Sequence, residues 1–397
     1  MTAALTPRRA PLKALHLASF VGNLGDNAMH DGEYRTRAAD LPFALDHRPC
    51  EVRQFIHWRE RAFDAAFIAE ANRADLVVIG GFSLFQLWRE TTVSGTYLEA
   101  TPDLFAAIRR PILFHGLGCD ATRGVSPLAV ERSRSFLDAL LAMDHCHFSL
   151  RNDGSADLIR DHLGAAYADA MAIVPDGGLF AEPGGGRLPG LAKGSRFIAV
   201  NLAGDMPDKR YAGAGGEDLT KAFAADIAKG LNELLAADET LACVFVPHIY
   251  SDFGPIGAVL DALDDRLRRE RVVVAGLAQG EHGWAPTFDL YRRAEAVVAM
   301  RYHACLASMG FGTPVFGIAT HHKIAGQFAA YDLAARCHEW REGADLSPLF
   351  AELARDLADP APVRQRFGDI RASERAVLKR YHADLAGWLA GQVEGLS

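Results

Sequence analysis

Short aliphatic runs alternate with longer amphipathic stretches along almost the whole chain, and nothing else in the sequence restricts the fold as much. A run of about four to eight aliphatic residues fits a strand buried on both faces, whereas apolar residues every three or four positions fit one face of a helix. Before residue 182 the expected strands are Ala14–Val21, Leu76–Ile79, Ile112–Phe114, Phe148–Leu150 and Ala172–Val174, with helices over Phe63–Asn72 and Leu128–Met143. The segment Glu182–Gly194 (EPGGGRLPGLAKG) breaks the pattern with clustered glycine and proline and is expected to be a surface linker. Strands then resume at Phe197–Leu202, Cys243–Val246, Val272–Ala275, Ala296–Ala299 and Val315–Ile318, with a helix over Leu219–Leu235.

Strand-helix alternation of this kind builds parallel sheets covered by helices, so the expected class is α/β: two Rossmann-type doubly wound domains facing across a cleft. Their expected extents are 1–185 and 195–340, followed by C-terminal helices over 341–397. Ser347-Pro348 starts one of these, and Asp359-Pro360-Ala361-Pro362 separates it from a last helix of about Val363–Val393, expected to pack back on the first domain. With 42 Lys+Arg against 50 Asp+Glu, the formal charge of -8 gives no general attraction for nucleic acid or an anionic membrane. The apolar stretch Leu12–Val21 is interrupted by Lys13 and His16, a poor signal peptide, and no apolar run approaches the roughly 18 residues of a membrane-spanning helix. The expected location is the cytoplasm, including the inner face of the membrane, where contact would be transient. Six scattered cysteines without a C-x-x-C pair read as reduced, mostly buried residues.

In such sheets ligands bind beyond the carboxyl ends of the strands, and that is where the polar motifs lie. Gly22-Asn23-Leu24-Gly25-Asp26 follows the first strand, with Asn23 or Asp26 able to cap the next helix. Gly80-Gly81-Phe82-Ser83 follows the second and is expected to open a helix whose amides cradle an anion or sugar hydroxyls. It has neither the dinucleotide-binding spacing nor a P-loop lysine. His115 in Phe114-His115-Gly116 reads as structural. Arg151 ends a strand just before a helix, and it is either an anion ligand or the surface partner of Asp153 or Asp176. Asp176 itself reads as a turn residue. Arg301 and His303 sit together where the strand Ala296–Ala299 passes into a helix ending near Gly310, and His321, His322 and Lys323 follow the next strand. A zinc site of His303, His321 and His322 is disfavoured by the absence of an E-x-x-H helix. His248 and Asp252 form a further pair after a strand, and Trp88, Trp284 and Trp340 are either sugar-stacking faces or core.

In order, GNLGDNA, ADLVVIGGFSLF, PILFHGLG, SLRNDGS, VPDGGLF and MRYHACLASMGFGTPVFGIATHHK resemble the polysaccharide pyruvyl transferase family, from Gly22 to about Asp332. The resemblance implies a GT-B-like architecture and transfer of a pyruvyl group from phosphoenolpyruvate to two hydroxyls of a sugar, glycan or lipid-linked oligosaccharide, as in exopolysaccharide synthesis. The products would be a ketal and phosphate. It implies Arg151, Arg301, His303 and Lys323 as donor ligands and Arg301 and His303 as catalytic. His303 would either protonate the methylene carbon or assist phosphate departure. On the acceptor side it implies Asn23, Asp26, Gly81, Phe82 and His248, with Asp26 or Glu33 as a proton acceptor. No metal and no cofactor beyond phosphoenolpyruvate is expected. The chain departs from the family pattern in having GGFSLF where three glycines are usual, and Thr320-His321-His322 before Lys323 where a tyrosine-aspartate pair is common. The alternatives are a GT-B glycosyltransferase with a nucleotide-sugar donor and a catalytically silent sugar- or anion-binding protein.

Overall fold

Strand burial separates the chain into two wholly parallel sheets. The computed structural model describes residues 10–393 apart from 186–189, 192–193, 212, 214–215, 217, 281 and 321. The first sheet contains β1 (Leu12–Ala18), β2 (Leu45–Glu51), β3 (Leu76–Gly80), β4 (Ser83–Gln86), β5 (Ile112–Asp120), β6 (Cys146–Arg151) and β7 (Ala172–Val174). Its order is β2-β1-β3-β5-β6-β7, with β4 paired to the far end of β5. The second contains β8 (Arg196–Asn201), β9 (Leu241–Phe245), β10 (Val272–Val274), β11 (Ala296–Ala299), β12 (Val315–Ala319) and β13 (Cys337–Glu339). Its order is β10-β9-β8-β11-β12-β13. Strands β3, β9, β11 and β12 are buried along their whole length, which is why they stand out in the sequence as unbroken aliphatic runs.

Three strands were not foreseen. β2 alternates exposed and half-buried residues and carries Pro49, as an edge strand does. β13 is likewise a three-residue edge strand. β4 corrects the expectation of a helix after Gly80: Gly81 bends the chain at φ 77°, and Ser83 begins a strand instead of a helix. β1 also ends at Ala18, three residues before the expected Val21. The expected linker 182–194 lies partly outside the described residues, and its described ends have no regular structure.

In both sheets the strand order reverses beside the first strand, between β1 and β3 and between β8 and β11. The crevice at such a switch point is where α/β folds bind ligands. The two domains are joined by one apolar cluster in which Leu24, Ala28, Leu179 and Phe180 pack with Trp284, Phe288, Leu306 and Met309. The last helix, Ala361–Gln392, lies across both domains. Its Arg366 donates to the Tyr331 carbonyl (2.8 Å) in the second, while Arg375 and His382 hold Asp40 (2.6 and 2.7 Å) in the first. Buried Phe367, Ile370, Leu378, Leu385 and Leu389 supply its apolar stripe. No described helix is long and apolar enough to cross a membrane.

Several imidazoles are buried or half-buried. Burial, with nearby positive groups, lowers His30 to about 4 and His47 and His248 to about 3, from the ordinary 6.5. An unfolded chain would bind protons that these folded imidazoles refuse, so their contribution is full above about pH 6.5 and lost as pH falls toward those values. Glu33 acts oppositely: burial pushes it up to about 7, so its contribution is present below 4.5 and lost as pH rises through about 7. Three imidazoles outweigh one carboxyl, and the melting temperature is expected to fall between about pH 7 and pH 5; a flat or rising trend toward acid contradicts this.

Candidate active site

Residues at or just beyond the carboxyl ends of β1, β3, β6, β8, β11 and β12 line one cavity of about 270 Å³. The first domain contributes Asn23, Asp26, Gly81, Phe82, Ser83 and Arg151, and the second contributes Met206, Arg210, Arg301, Tyr302, His303 and Lys323. Asn23 caps the helix Leu24–Asp40, its side chain accepting from the Gly25 amide at 3.0 Å.

The two central guanidinium groups are each pinned by two carboxylates. Arg151 is 5% exposed; it donates through Nε to Asp153 (2.8 Å) and through Nη1 to Asp176 (3.1 Å), with its guanidinium 5.1 Å from the Tyr302 ring centre. Arg301 donates through Nε to Asp252 (2.9 Å), makes a second contact with that carboxylate, and donates through Nη2 to Asp205 (2.8 Å). Asp252 is in turn fixed by the amides of Gly204 (3.0 Å) and His248 (2.8 Å). Burial alone would raise Asp153 and Asp252, but Arg151 and Arg301 outweigh it and hold both below the usual carboxylate range. Lys323, in the first turn of the helix His322–Ala330, donates across the cleft to Ser83 Oγ, and burial lowers its pKa. These cations are therefore rigid, aimed donors whose charge is largely balanced nearby, and not a loose positive field.

His303 joins the two domains. It begins the helix Tyr302–Phe311 of the second, yet its Nε2 lies 3.3 Å from Asp176 Oδ2 and its Nδ1 3.8 Å from Asp26 Oδ1, both in the first. Asp176 caps the short turn Gly177–Phe180 by accepting from the Gly178 amide at 2.7 Å. Burial works to raise Asp176, but His303 and Arg151 keep it deprotonated far below the usual range. Asp26 is raised by burial, which its neighbour His303 only partly offsets. A carboxylate behind an imidazole and a second carboxyl in front of it form an acid-base array that can move protons to and from a ligand in the cavity.

All the residues expected at the site line this cavity except His248, which needs correcting. It is 1% exposed and sits one layer behind, with Nε2 2.7 Å from the Tyr291 hydroxyl and Nδ1 3.3 Å from Asn23 Oδ1. Burial and the Arg301 charge keep it neutral, and it positions Asn23 and Asp252. Glu33 is also withdrawn into the core, where it pairs with Arg37 at 3.1 Å. Arg151 does pair with Asp153 and Asp176, but buried at the cavity wall and not on the surface. Trp284 and Trp340 are core residues, while Trp88 is half-buried beside the site. His321 lies outside the described residues, so the histidine triad has no described geometry. Among the described residues, His16, His30 and Glu33 have ligand atoms within 4.8 Å of one another, buried where the neighbouring Arg37 opposes a metal cation.

Sequence reading missed Asp205 and Arg210, and it gave Asp176 only as a turn residue or a surface partner of Arg151. Asp176 has the local signature of any turn aspartate, and its partners are 25 and 127 positions away. Arg210 lies in a four-residue helix, Pro207–Arg210, inside a long connection, and reaches Thr320 Oγ1 at 2.6 Å.

The family model described as polysaccharide pyruvyl transferase matches residues 23–322 of the chain. No curated protein matches it. Among solved structures, a Listeria monocytogenes protein described as a UDP-N-acetylglucosamine 2-epimerase superposes with TM-score 0.51 at 10% identity, covering 90% of this chain and 91% of the other. Another UDP-N-acetylglucosamine 2-epimerase gives TM-score 0.51 and 10% identity over 93% and 95%. At that identity the likeness is one of fold, and the architecture is GT-B-like.

Gly25 tests the contact between domains. A Cβ there would lie 2.6 Å from both Cβ and Nδ1 of His303, near the rigid root of that side chain. Alanine is the better helix former by nearly 1 kcal/mol, so local propensity alone predicts that Gly25→Ala stabilises. Overpacking predicts the opposite, a loss of roughly 1–3 kcal/mol in urea unfolding. A neutral or more stable variant would show that His303 does not press on this helix.

Proposed function

The chain belongs to the polysaccharide pyruvyl transferase family, and we propose that it moves the pyruvyl group of phosphoenolpyruvate onto two hydroxyls of a sugar or glycan precursor, releasing phosphate. One observation carries the reading: donor groups from both domains, Arg151 from one and Arg301, His303 and Lys323 from the other, converge on a small cavity. Phosphoenolpyruvate places a carboxylate and a phosphate on a three-carbon frame, and paired guanidinium forks suit both groups. Because the carboxylates already hold the arginines in place, little side-chain freedom is lost when the donor binds.

In the proposed reaction the methylene carbon gains a proton and becomes a methyl group. The adjacent carbon, then oxocarbenium-like, forms a bond to one sugar oxygen as its bond to the phosphate oxygen breaks. The second sugar oxygen closes the ketal. Of the two hydroxyl protons, one balances that taken up by the methyl group and the other leaves as hydrogen phosphate. His303, oriented by Asp176, is the proposed proton donor, either to the methylene or to the departing phosphate. Asp26, 3.8 Å from the same ring and raised by burial, is the proposed acceptor of a hydroxyl proton. Asn23, Gly81 and Phe82 form the adjoining wall, where the acceptor is proposed to lie. The reaction as written needs no cofactor other than phosphoenolpyruvate. A nucleotide-sugar donor is not favoured, since the match to 2-epimerases is one of fold.

Phosphate release is expected only when phosphoenolpyruvate and a suitable glycoside are both present. His303→Gln is expected to lower that rate about a hundredfold to ten-thousandfold with the thermal transition retained. Wild-type turnover in this variant would remove His303 from the chemistry.

A further inference from the structure

The proposed reaction uses Asp26 as a carboxylate, yet burial works against its charge. Asp26 lies on the boundary between the small cavity and a second one of about 530 Å³, where its neighbours along the wall are Ser19, Val52 and Arg53. Arg53 comes just after β2. Its amide donates to Glu51 Oε1 at 2.9 Å, while Glu51 Oε2 accepts from the amides of Phe20 and Val21 at 2.7 and 2.9 Å. One carboxylate thus ties the turn after β1 to the root of Arg53. Asn27 and His30, on the helix that carries Asp26, donate to the carbonyls of Phe20 (2.8 Å) and Ser19 (3.1 Å), so turn, arginine and helix form one fixed unit.

Gly22 shows how closely the guanidinium is seated on that unit. A Cβ there would lie 2.4 Å from Arg53 Nη2, 2.9 Å from Arg53 Nε and 2.6 Å from Ser19 Oγ, so the bare Cα is what lets guanidinium and hydroxyl close over the turn. Arg53 Nε is buried without a hydrogen-bond partner, and among the described residues Arg53 forms no ion pair within 4 Å. Glu51, its nearest acid in the chain, is engaged by backbone amides. The positive charge is therefore left to act on Asp26, four residues beyond Gly22.

The groups that offset the burial of Asp26 are His303, Ser19, Arg53 and Arg151. His303 and Arg151 line the small cavity, where an anionic donor would draw on both; Arg53 does not. The other titratable groups on its wall are His57, Arg89, Tyr97, Asp120, Arg123 and Asp205. We propose that Arg53 is a positioning residue: seated on Gly22, it holds the Asp26 carboxylate charged and fixed while the donor occupies His303 and Arg151. The inference rests on the pyruvyl-transfer reading, in which Asp26 takes the proton of an acceptor hydroxyl. Without the guanidinium, Asp26 would keep its own proton to higher pH, and the acid limb of the rate profile would move toward alkali.

The intact chain labelled with carbon-13 at its aspartate carboxyls reports Asp26 directly by NMR, its signal being the one lost in Asp26→Asn. Arg53→Gln is expected to move the midpoint of that signal to higher pH, and Arg53→Lys, which keeps the charge, to move it less. Gly22→Ala pushes the guanidinium off the turn without removing it. It is expected to act in the same direction, and it repeats the test should Arg53→Gln fail to fold. In phosphate-release assays the rate of Arg53→Gln is expected to be at least about fivefold lower on the acid limb and to recover at alkaline pH. A merely structural loss would lower the rate equally at every pH. An unchanged Asp26 midpoint in both Arg53→Gln and Gly22→Ala overturns the proposal. If the midpoint moves but the wild type releases no phosphate from phosphoenolpyruvate with any glycoside, Arg53 still holds Asp26 and the transfer reading falls instead.

Discussion

One buried carboxylate ties the structure together. Asp176 holds Arg151 of its own domain and faces His303 of the other, while capping the turn between them. Burying a guanidinium is costly unless acids neutralise it, and removing one partner leaves a charge stranded in a poorly solvated place. The need to pair Arg151 therefore fixes where Asp176 must be, and Asp176 fixes the orientation of the imidazole. Asp252 does the same for Arg301 from the second domain. The donors of the cavity are thus set before any ligand arrives, which is the condition under which electrostatic stabilisation of a transition state is most effective.

Close packing enforces the same arrangement. A Cβ on Gly177 would lie 2.3 Å from the Met29 carbonyl oxygen, so the turn that carries Asp176 sits directly on the helix that carries Asp26. Gly310 approaches the Leu179 carbonyl as closely, bringing the His303 helix onto that turn. The last helix then clamps both domains through Asp40 and Tyr331. The site is a joint between two domains held together by close backbone contact.

Much of this was legible in the sequence, because strands buried on both faces leave unbroken aliphatic runs and cavity-lining residues follow them directly. Arg151, Arg301, His303 and Lys323 were found that way. What escaped notice depends on distant partners. β2 alternates and carries Pro49, so it lacks the apolar run that marks the inner strands. Gly80-Gly81 permits a helix start or a bend, and only the pairing of β4 with the far end of β5 decides for the bend. His248 follows a strand just as His303 follows one, but Tyr291 and Phe288 cover it, and that burial comes from a helix about 40 residues away. The carboxylates that balance the arginines look like ordinary turn residues, so the sequence suggests a cavity with more net positive charge than the structure holds.

The central claim is that groups from both domains grip one small donor. A crystal structure with phosphoenolpyruvate bound tests it most directly. The account predicts contacts from Arg151 on one side and Arg301 or Lys323 on the other, with the His303 ring within about 3.2 Å of the phosphate or the methylene carbon. A ligand held by one domain alone, or seated away from His303, would contradict it.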